Sequence, residues 1–170
     1  EALVRLMPRI ADLRVVFVGT DCDFGDGRAT LQVVRNKLGG LAARVTHISW
    51  VAHSQLYPIV SAARCVAMPS RVDNLPNAFQ ETLALGSVLV AARGASFDEI
   101  IEDGKSGFLC DQEKVDSLAA GIERAWTLSE AERKRIGANA RERMRLLNAD
   151  HTVPALLAHY QRAIARFGRR

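Results

Sequence analysis

The sequence predicts an α/β fold built on a doubly wound parallel sheet of the Rossmann-like kind. Short apolar runs alternate along the chain with stretches of helical period, and a polar or glycine-rich corner follows most of the runs. The runs are continuous rather than alternating, which is typical of parallel strands buried on both faces. Strands that alternate with helices imply right-handed crossovers, and such sheets bind their ligands at the carboxyl ends of the strands.

Five apolar runs are the predicted strands of this sheet. Glycine, proline or serine ends most of them, and β-branched residues are frequent inside them. We expect the first and the third to be buried. In chain order, the runs are RVVFVG ending at Gly19, RVTHISW, CVAMPS, SVLVAA and GFLC.

Helical periods fill the intervals between the runs. The pair Gly39–Gly40 closes RATLQVVRNKLGG, Pro76 lies at the first turn of PNAFQETLALG, and Gly86 lies just past its end. Three helices follow Glu113, and the second of them begins with the capping-box pair Ser129 and Glu132. The remaining predicted helices are ALVRLMPRIADL interrupted at Pro8, SQLYPIVSAAR, and the stretches 113–126, 129–147 and 153–167.

The composition suits one folded domain over residues 1–170. Of the 170 residues, 48% are hydrophobic and 25% are charged, which argues against disorder. No apolar run approaches the roughly 20 residues that span a bilayer, and no signal-peptide pattern is present, so we expect a cytoplasmic protein. The chain starts at Glu1 inside a helical pattern, which suggests a fragment of a longer protein.

The three cysteines, Cys22, Cys65 and Cys110, are scattered and include no CxxC pair. This spacing predicts neither a disulfide framework nor a zinc site. Two of the three lie in apolar runs, and we expect these two to be buried, reduced thiols.

The net charge of +4 is concentrated in the carboxyl-terminal helices, where basic residues outnumber acidic ones. Such a face suits contact with anionic lipid or an acidic partner, although a merely solvated face is the reading that we favour. The arginines lack the interleaved aromatic residues of a single-stranded nucleic-acid surface, so we expect no nucleic-acid partner.

The stretch RVDNLPNAFQE, residues 71–81, follows the third strand and carries the main candidate residues. If Pro76 is the first helical residue, Asn77 and Ala78 present free backbone amides at the positive end of the helix dipole. Asp73 and Glu81 flank these amides, and each carboxylate can accept two hydroxyl hydrogen bonds. The arrangement suits an anionic centre between hydroxyl-rich groups, as in a nucleoside diphosphate sugar.

A second interpretation of the same stretch requires no ligand. Asp73 would only shape the turn, and Glu81 would be a solvated helical position. The stretch by itself slightly favours this interpretation. The loops after the other strands, including the one at Gly19, are further candidate positions because parallel strands end at one edge.

Two weaker patterns occur in the loop after the first strand. Asp21, Asp23 and Asp26 faintly suggest a cation loop, but their spacing fails the EF-hand pattern, so we predict no metal site. The glycines around Asp26 lack the third glycine of a dinucleotide fingerprint, and we expect no nicotinamide or other cofactor.

Residues 69–110, PSRVDNLPNAFQETLALGSVLVAARGASFDEIIEDGKSGFLC, resemble the donor-binding half of retaining GT-B glycosyltransferases of group 1. The family pattern runs Pro-Ser, a glutamate, an apolar-Pro-Asn corner, a second glutamate, a Val-rich strand, a glycine pair, Glu-Ile-Ile and Asp-Gly-x-x-Gly. The resemblance extends over essentially the whole chain. Three positions depart from the pattern: Asp73 and Thr82 replace a glutamate and an alanine, and Ala95 replaces the second glycine.

The resemblance implies a role for each candidate residue. Glu81 would bind the donor ribose, and Asp73 would lie near the donor hexose and stabilise charge at the anomeric carbon. The corner residues would offer backbone amides to the sugar and the diphosphate, and other loops would line the nucleobase and the sugar. The residues implied for these contacts are Leu75, Asn77 and Ala78 in the corner, Trp50 and Val51 beside the nucleobase, and the pair Gly94 and Ala95.

The resemblance also implies a larger protein around this chain. The basic Arg and Lys that clamp the diphosphate lie upstream of the first helix in the family, as does the acceptor-binding domain, to which helix 153–168 would cross. The protein would transfer a hexosyl group to a glycan or lipid-linked acceptor, with possible contact at the inner face of the membrane, and the isolated chain would be inactive. A nucleotide-sugar epimerase and a degenerate interaction domain are the alternatives.

Overall fold

The computed structural model describes residues 1–23, 25, 27–94 and 96–168. Five strands alternate with helices in the first two thirds of the chain, and three helices follow. The strands are β1 (Val15–Val18), β2 (Val45–Ile48), β3 (Val66–Met68), β4 (Leu89–Ala92) and β5 (Phe108–Cys110). The helices are α1 (Ala2–Leu6), α2 (Thr30–Leu38), α3 (His53–Ala62), α4 (Asn77–Ala84), α5 (Val115–Thr127), α6 (Glu130–Arg145) and α7 (Ala149–Phe167).

Three predicted helix boundaries are wrong by a few residues. Pro76 is the N-cap of α4, with ψ 148°, so the first helical residue is Asn77. Helix α7 begins at Ala149 because the Asn148 side chain caps it by accepting a hydrogen bond from the His151 amide. After α2 the chain continues as a 3-10 helix over Gly39–Arg44 instead of leaving helical structure.

All strand pairs are parallel, as predicted, but they form two sheets instead of one. Strand β1 pairs with β2, with Val15 opposite Val45, and the second sheet has the order β3-β4-β5. In that sheet Val66 lies opposite Leu89 and Val90 opposite Phe108. Helices cover the sheets on both faces, so the α/β class and the doubly wound character agree with the prediction.

Two apolar cores lie on the opposite faces of these sheets. The larger core joins α1, α2 and α5 to one face, with Leu6, Met7 and Val90 among its buried side chains. The smaller core packs α4 and α6 against the other face around Phe79 and Phe97. Helix α4 is thereby held against the sheet from its first turn.

Strand β1 is not buried on both faces, although the sequence predicts this. Val16, Phe17 and Val18 are 47%, 36% and 39% exposed. The physical reason is the pairing of β1, which bonds to β2 along one edge and to no described strand along the other.

The contact between α4 and α6 depends on a glycine. A Cβ atom on Gly137 of α6 would lie 2.1 Å from the Gly86 carbonyl oxygen, which follows α4. The predicted capping box at the start of α6 is present: Ser129 Oγ accepts from the Glu132 amide, and this contact holds the pKa of Glu132 below its usual range.

We predict that Gly137→Ala lowers the free energy of unfolding by about 1 to 3 kcal/mol, because the added methyl group forces α6 away from Gly86. Gly40→Ala is the matched control, since a Cβ there meets nothing within 4 Å. Urea unfolding of both variants measures the difference. Equal stabilities of the two variants would contradict the close approach of α6 to Gly86.

Candidate functional site

The carboxyl ends of the parallel strands carry the predicted site residues. The segment between β3 and α4 forms a tight corner in which Leu75 has φ +54°, a conformation that costs a non-glycine residue about 1 to 2 kcal/mol. Hydrogen bonds hold this corner: the Leu75 amide donates to Ser96 Oγ (3.1 Å), and that hydroxyl donates to the Asp73 carbonyl (3.5 Å). Ser96 belongs to the segment after β4, so the two loops are tied together.

The corner aims the amino terminus of α4 outward. Gln80 Nε2 donates to the Leu75 carbonyl (2.9 Å), which fixes the entry of the chain into the helix. Asn77 and Ala78 are exposed, and within the described chain no acceptor is paired with their backbone N–H groups. Two free amides at the positive end of a helix dipole can hold an anion.

The first turns of α4 are anchored from below. Phe79 is fully buried and stacks on Phe97 with ring centroids 4.7 Å apart. The buried Thr82, which stands where the family pattern has alanine, donates its hydroxyl to the Ala78 carbonyl (2.7 Å). These contacts make the position of the free amides a property of the core rather than of a mobile loop.

Glu81 lies one turn into α4, and its side chain is only 24% exposed. Tyr57 Oη donates to Glu81 Oε1 (3.4 Å), and His53 Nδ1 lies 3.9 Å from the same oxygen. Both partners come from α3. A half-buried carboxylate held by a neighbouring helix has a defined orientation, which does not fit the interpretation of Glu81 as a freely solvated position.

Asp73 differs from Glu81 in its surroundings. One of its carboxylate oxygens accepts from the Asn74 amide (2.9 Å), as in a turn. The other oxygen has no printed partner in the described chain, so Asp73 combines the turn-shaping role with one acceptor that faces the site.

The other predicted residues lie at the same edge. Trp50 is 78% exposed and Val51 is half-buried in the segment that leads into α3. Gly19 ends β1, and its carbonyl lies 2.7 Å from His47 Nε2. The amide of Gly94, with φ +86°, donates to Asp98 Oδ1 (3.1 Å), whereas Ala95 lies outside the described residues.

The structure brings some of these residues into direct relation and leaves others apart. Hydrogen bonds join the corner at Asp73 and Leu75 to the loop after β4, and Glu81 is joined to α3. No such bond connects the described residues around Gly19 to α4. That loop shares the sheet edge with the site but has its own contacts.

The aspartates after β1 serve the loop in which they lie. Asp21 Oδ1 accepts from the Leu31 amide (3.0 Å), and Asp23 Oδ1 accepts from the amides of Gly25 (2.6 Å) and Gly27 (3.0 Å). Asp26, the third residue of the weak cation pattern, is outside the described residues. Among the residues that are described, no three His, Cys, Asp or Glu side chains gather as metal ligands would.

Two of the cysteines have surroundings that suppress thiolate formation. Burial raises the pKa of Cys65 to about 11, and it also raises the pKa of Cys110. The expectation of burial holds fully for Cys110 and partly for Cys65, which is half-buried. Neither thiol is suited to act as a nucleophile at neutral pH.

Sequence analysis missed three residues at this site: His53, Tyr57 and Ser96. His53 and Tyr57 are four residues apart and therefore share one face of α3, and this spacing just after Trp50 was the available signal. Ser96, with φ +62°, had no comparable signal because its contact with Leu75 depends on the folded loops.

Comparison with known proteins agrees with this architecture. The sequence profile of the family described as "Glycosyl transferases group 1" matches residues 1–143. The D-inositol 3-phosphate glycosyltransferase of Mycolicibacterium gilvum is 30% identical over 167 residues, which is 97% of this chain and 37% of that protein. The enzyme of the same name from Gordonia bronchialis is 29% identical over 159 residues, 93% of this chain and 34% of that protein.

Solved structures show the same fold. The sucrose-phosphate synthase of Thermosynechococcus elongatus superposes with a TM-score of 0.77 at 22% identity, over 97% of this chain and 42% of that one. Anabaena Alr3699/HepE, solved in complex with UDP, gives a TM-score of 0.73 at 21% identity, over 95% of this chain and 44% of that one.

A third structure is a separate carboxyl-terminal domain of a glycosyl transferase group 1 family protein from Francisella tularensis. It gives a TM-score of 0.68 at 21% identity and covers 84% of this chain and 73% of that one. The present chain spans little more than a third of the curated relatives that it matches. With its fold, its corner at the start of α4 and the match over residues 1–143, the chain belongs to the group 1 glycosyltransferases, which are enzymes of the GT-B fold.

Proposed function

We propose that residues 1–170 are the donor-binding domain of a retaining glycosyltransferase that transfers a hexosyl group from a nucleoside diphosphate sugar. The observation that carries this proposal is the start of α4, where the free amides of Asn77 and Ala78 lie between the carboxylates of Asp73 and Glu81. An anionic diphosphate suits the amides, and hydroxyl groups suit the two carboxylates.

Each part of the donor then has its own contacts. The diphosphate faces the start of α4, and the ribose hydroxyls donate to Glu81, which Tyr57 orients. The hexose lies toward Asp73 and the Leu75 corner. The nucleobase packs on the exposed Trp50 and on Val51, and the loop at Gly94 and Ala95 closes on the sugar.

The nucleotide is proposed to be UDP. The supporting observation is that the structural relative Alr3699/HepE was solved with UDP and with UDP-glucose. An exposed tryptophan stacks on any base, so the choice among bases belongs to the less exposed backbone of the loop at Val51.

The chemistry proposed for this site is positioning and electrostatic stabilisation. In a front-face substitution the departing diphosphate itself accepts the proton of the acceptor hydroxyl, so the domain supplies no general base. The start of α4 stabilises the negative charge that develops on the diphosphate, and Asp73 stabilises positive charge at the anomeric carbon. No cofactor enters this scheme, and the nucleotide sugar is a substrate.

The acceptor, a glycan or a lipid-linked sugar, would bind to a second domain outside residues 1–170. Helix α7 supports this arrangement because none of its 19 residues is buried and one face of it is apolar and exposed. We propose that residues 153–168 cross to that domain. The exposed apolar residues are Val153, Leu156, Leu157, Tyr160, Ile164 and Phe167.

We place the complete enzyme in the cytoplasm, with any contact to the inner membrane face made by the acceptor-binding domain. Helix α6 is basic, but Arg133, Arg141 and Arg143 donate to backbone carbonyl groups of this domain and so are used internally. None of the described helices is long and apolar enough to cross a bilayer.

We predict that UDP perturbs the amide chemical shifts of Asn77, Ala78 and Glu81 when it is titrated into the domain, with GDP and ADP as comparisons. Glu81→Gln should weaken binding by about 10- to 100-fold, because hydrogen bonds to a charged group are worth roughly 1.5 to 3 kcal/mol. Tyr57→Phe keeps the carboxylate but loses its orientation, and it should weaken binding by only about 3-fold.

Glu142→Gln is the control for that titration, since Glu142 is exposed on α6, away from α4. It should bind UDP as the unmodified domain does. Binding of UDP with unchanged affinity to Glu81→Gln would contradict the ribose assignment. Failure of all three nucleotides to shift these amides, in the domain and in the full-length protein alike, would contradict the donor site itself.

For α7, we predict that the double substitution Leu156→Ser and Ile164→Ser lowers the Tm of the full-length protein by several degrees but leaves that of residues 1–170 unchanged. Burial of the two side chains against a second domain is the reason, at roughly 1.5 to 3 kcal/mol each. Arg162→Ser, on the polar face, is the control. Equal effects in the long and short chains would contradict the crossing.

A further inference from the structure

The two parallel sheets leave two strand edges without a described partner. The Gly19 amide, just after β1, donates to the Ile48 carbonyl (3.0 Å), and the Val66 amide of β3 donates to the Val88 carbonyl (2.9 Å). In the described chain β1 therefore bonds only toward β2, and β3 bonds only toward β4.

Successive residues of a strand direct their backbone groups to opposite sides. Since Gly19 and Val66 point into the existing pairs, Val16 and Val18 of β1 and Ala67 of β3 point to the unpaired edges. These edges are apolar, and the exposed side chains of β1 are those that parallel strands normally bury. An open edge of this kind is a template for pairing with another strand.

The position of α1 shows where the other strand belongs. Arg5 forms an ion pair with Asp116 at the start of α5, and Arg9 forms one with Glu123 two turns later. The chain at α1 therefore runs in the direction of α5, which follows β5 and returns along the sheet. Helix α1 thus runs antiparallel to the strands and packs between α2 and α5.

Crossover handedness then fixes the side. The crossover from β1 through α2 to β2 moves away from β3 and has α2 on one face of the sheet. Helix α1 shares the core of that face and leads into β1. If the unit before β1 is right-handed as well, its first strand lies on the side of β1 opposite to β2.

We propose that a sixth strand, from the polypeptide that precedes Glu1 in the full-length protein, inserts between β1 and β3 and runs parallel to both. It would join the two sheets into the single order β2-β1-strand-β3-β4-β5, which is the doubly wound order 3-2-1-4-5-6. The lengths allow such a segment, because the relatives are nearly three times as long as this chain.

This strand would also complete the crevice at the start of α4. Helices α1 and α2 lie on one face and α4 on the other, so the direction of winding reverses between the inserted strand and β3. Ligands of doubly wound sheets bind at this reversal, outside the carboxyl ends of the two strands. The loop between the inserted strand and α1 thus faces Asn77 and Ala78, a consequence that rests on the proposed function.

Residue-resolved amide hydrogen exchange of the full-length protein, without nucleotide, tests the strand separately from the donor site. The test compares the amides of Val16, Val18 and Ala67 with those of Gly19 and Val66, which already have partners. We expect the two groups to be protected to within about 10-fold of each other, because both would then be paired on both sides.

Two outcomes would overturn the proposal. Exchange of Val16, Val18 and Ala67 at least about 100-fold faster than that of Gly19 and Val66 would show that the edges stay open in the full-length protein. Protection that disappears on dilution would show that a second copy of the chain covers them instead. Neither outcome depends on whether UDP binds.

Discussion

The entry of the chain into α4 is the feature on which the candidate site depends. Leu75 adopts a left-handed conformation before Pro76, where an extended one is usual, and this turn sends the next two amides out of the sheet edge. The strain is maintained because Ser96 and Gln80 bond to the corner and Phe79 is locked against Phe97. A helix end that is fixed in this way provides a preorganised anion site, for which little ordering energy is needed when a ligand binds.

The two carboxylates near that helix end give the site its selectivity. Asp73 and Glu81 would repel a bare anion, and each would contribute favourably only if it accepted hydrogen bonds from hydroxyl groups. The site therefore favours an anion that carries hydroxyl-rich groups on both sides over free phosphate. The contacts of Tyr57 and His53 with Glu81 extend this constraint to α3, so that the helices after β2 and β3 form one recognition surface.

The sequence predicted local features well and failed where distant segments decide the outcome. Continuous apolar runs, the Pro76 and Gly86 boundaries and the capping box at Ser129 are local patterns, and the five strands and most helices follow from them. The exposure of β1 and the separation into two sheets could not be predicted, because they depend on which strand lies next to β1 in space. The roles of Ser96 and Tyr57 at the site were also out of reach, since each contacts a residue more than twenty positions away.

A crystal structure of the full-length protein with UDP tests the central claim most directly, because it locates each part of the nucleotide against named atoms. The account predicts diphosphate oxygens within hydrogen-bond distance of the Asn77 and Ala78 amides, at about 2.7 to 3.2 Å, and ribose hydroxyls on the Glu81 carboxylate. A nucleotide bound elsewhere, or one whose diphosphate avoids the start of α4, would contradict it.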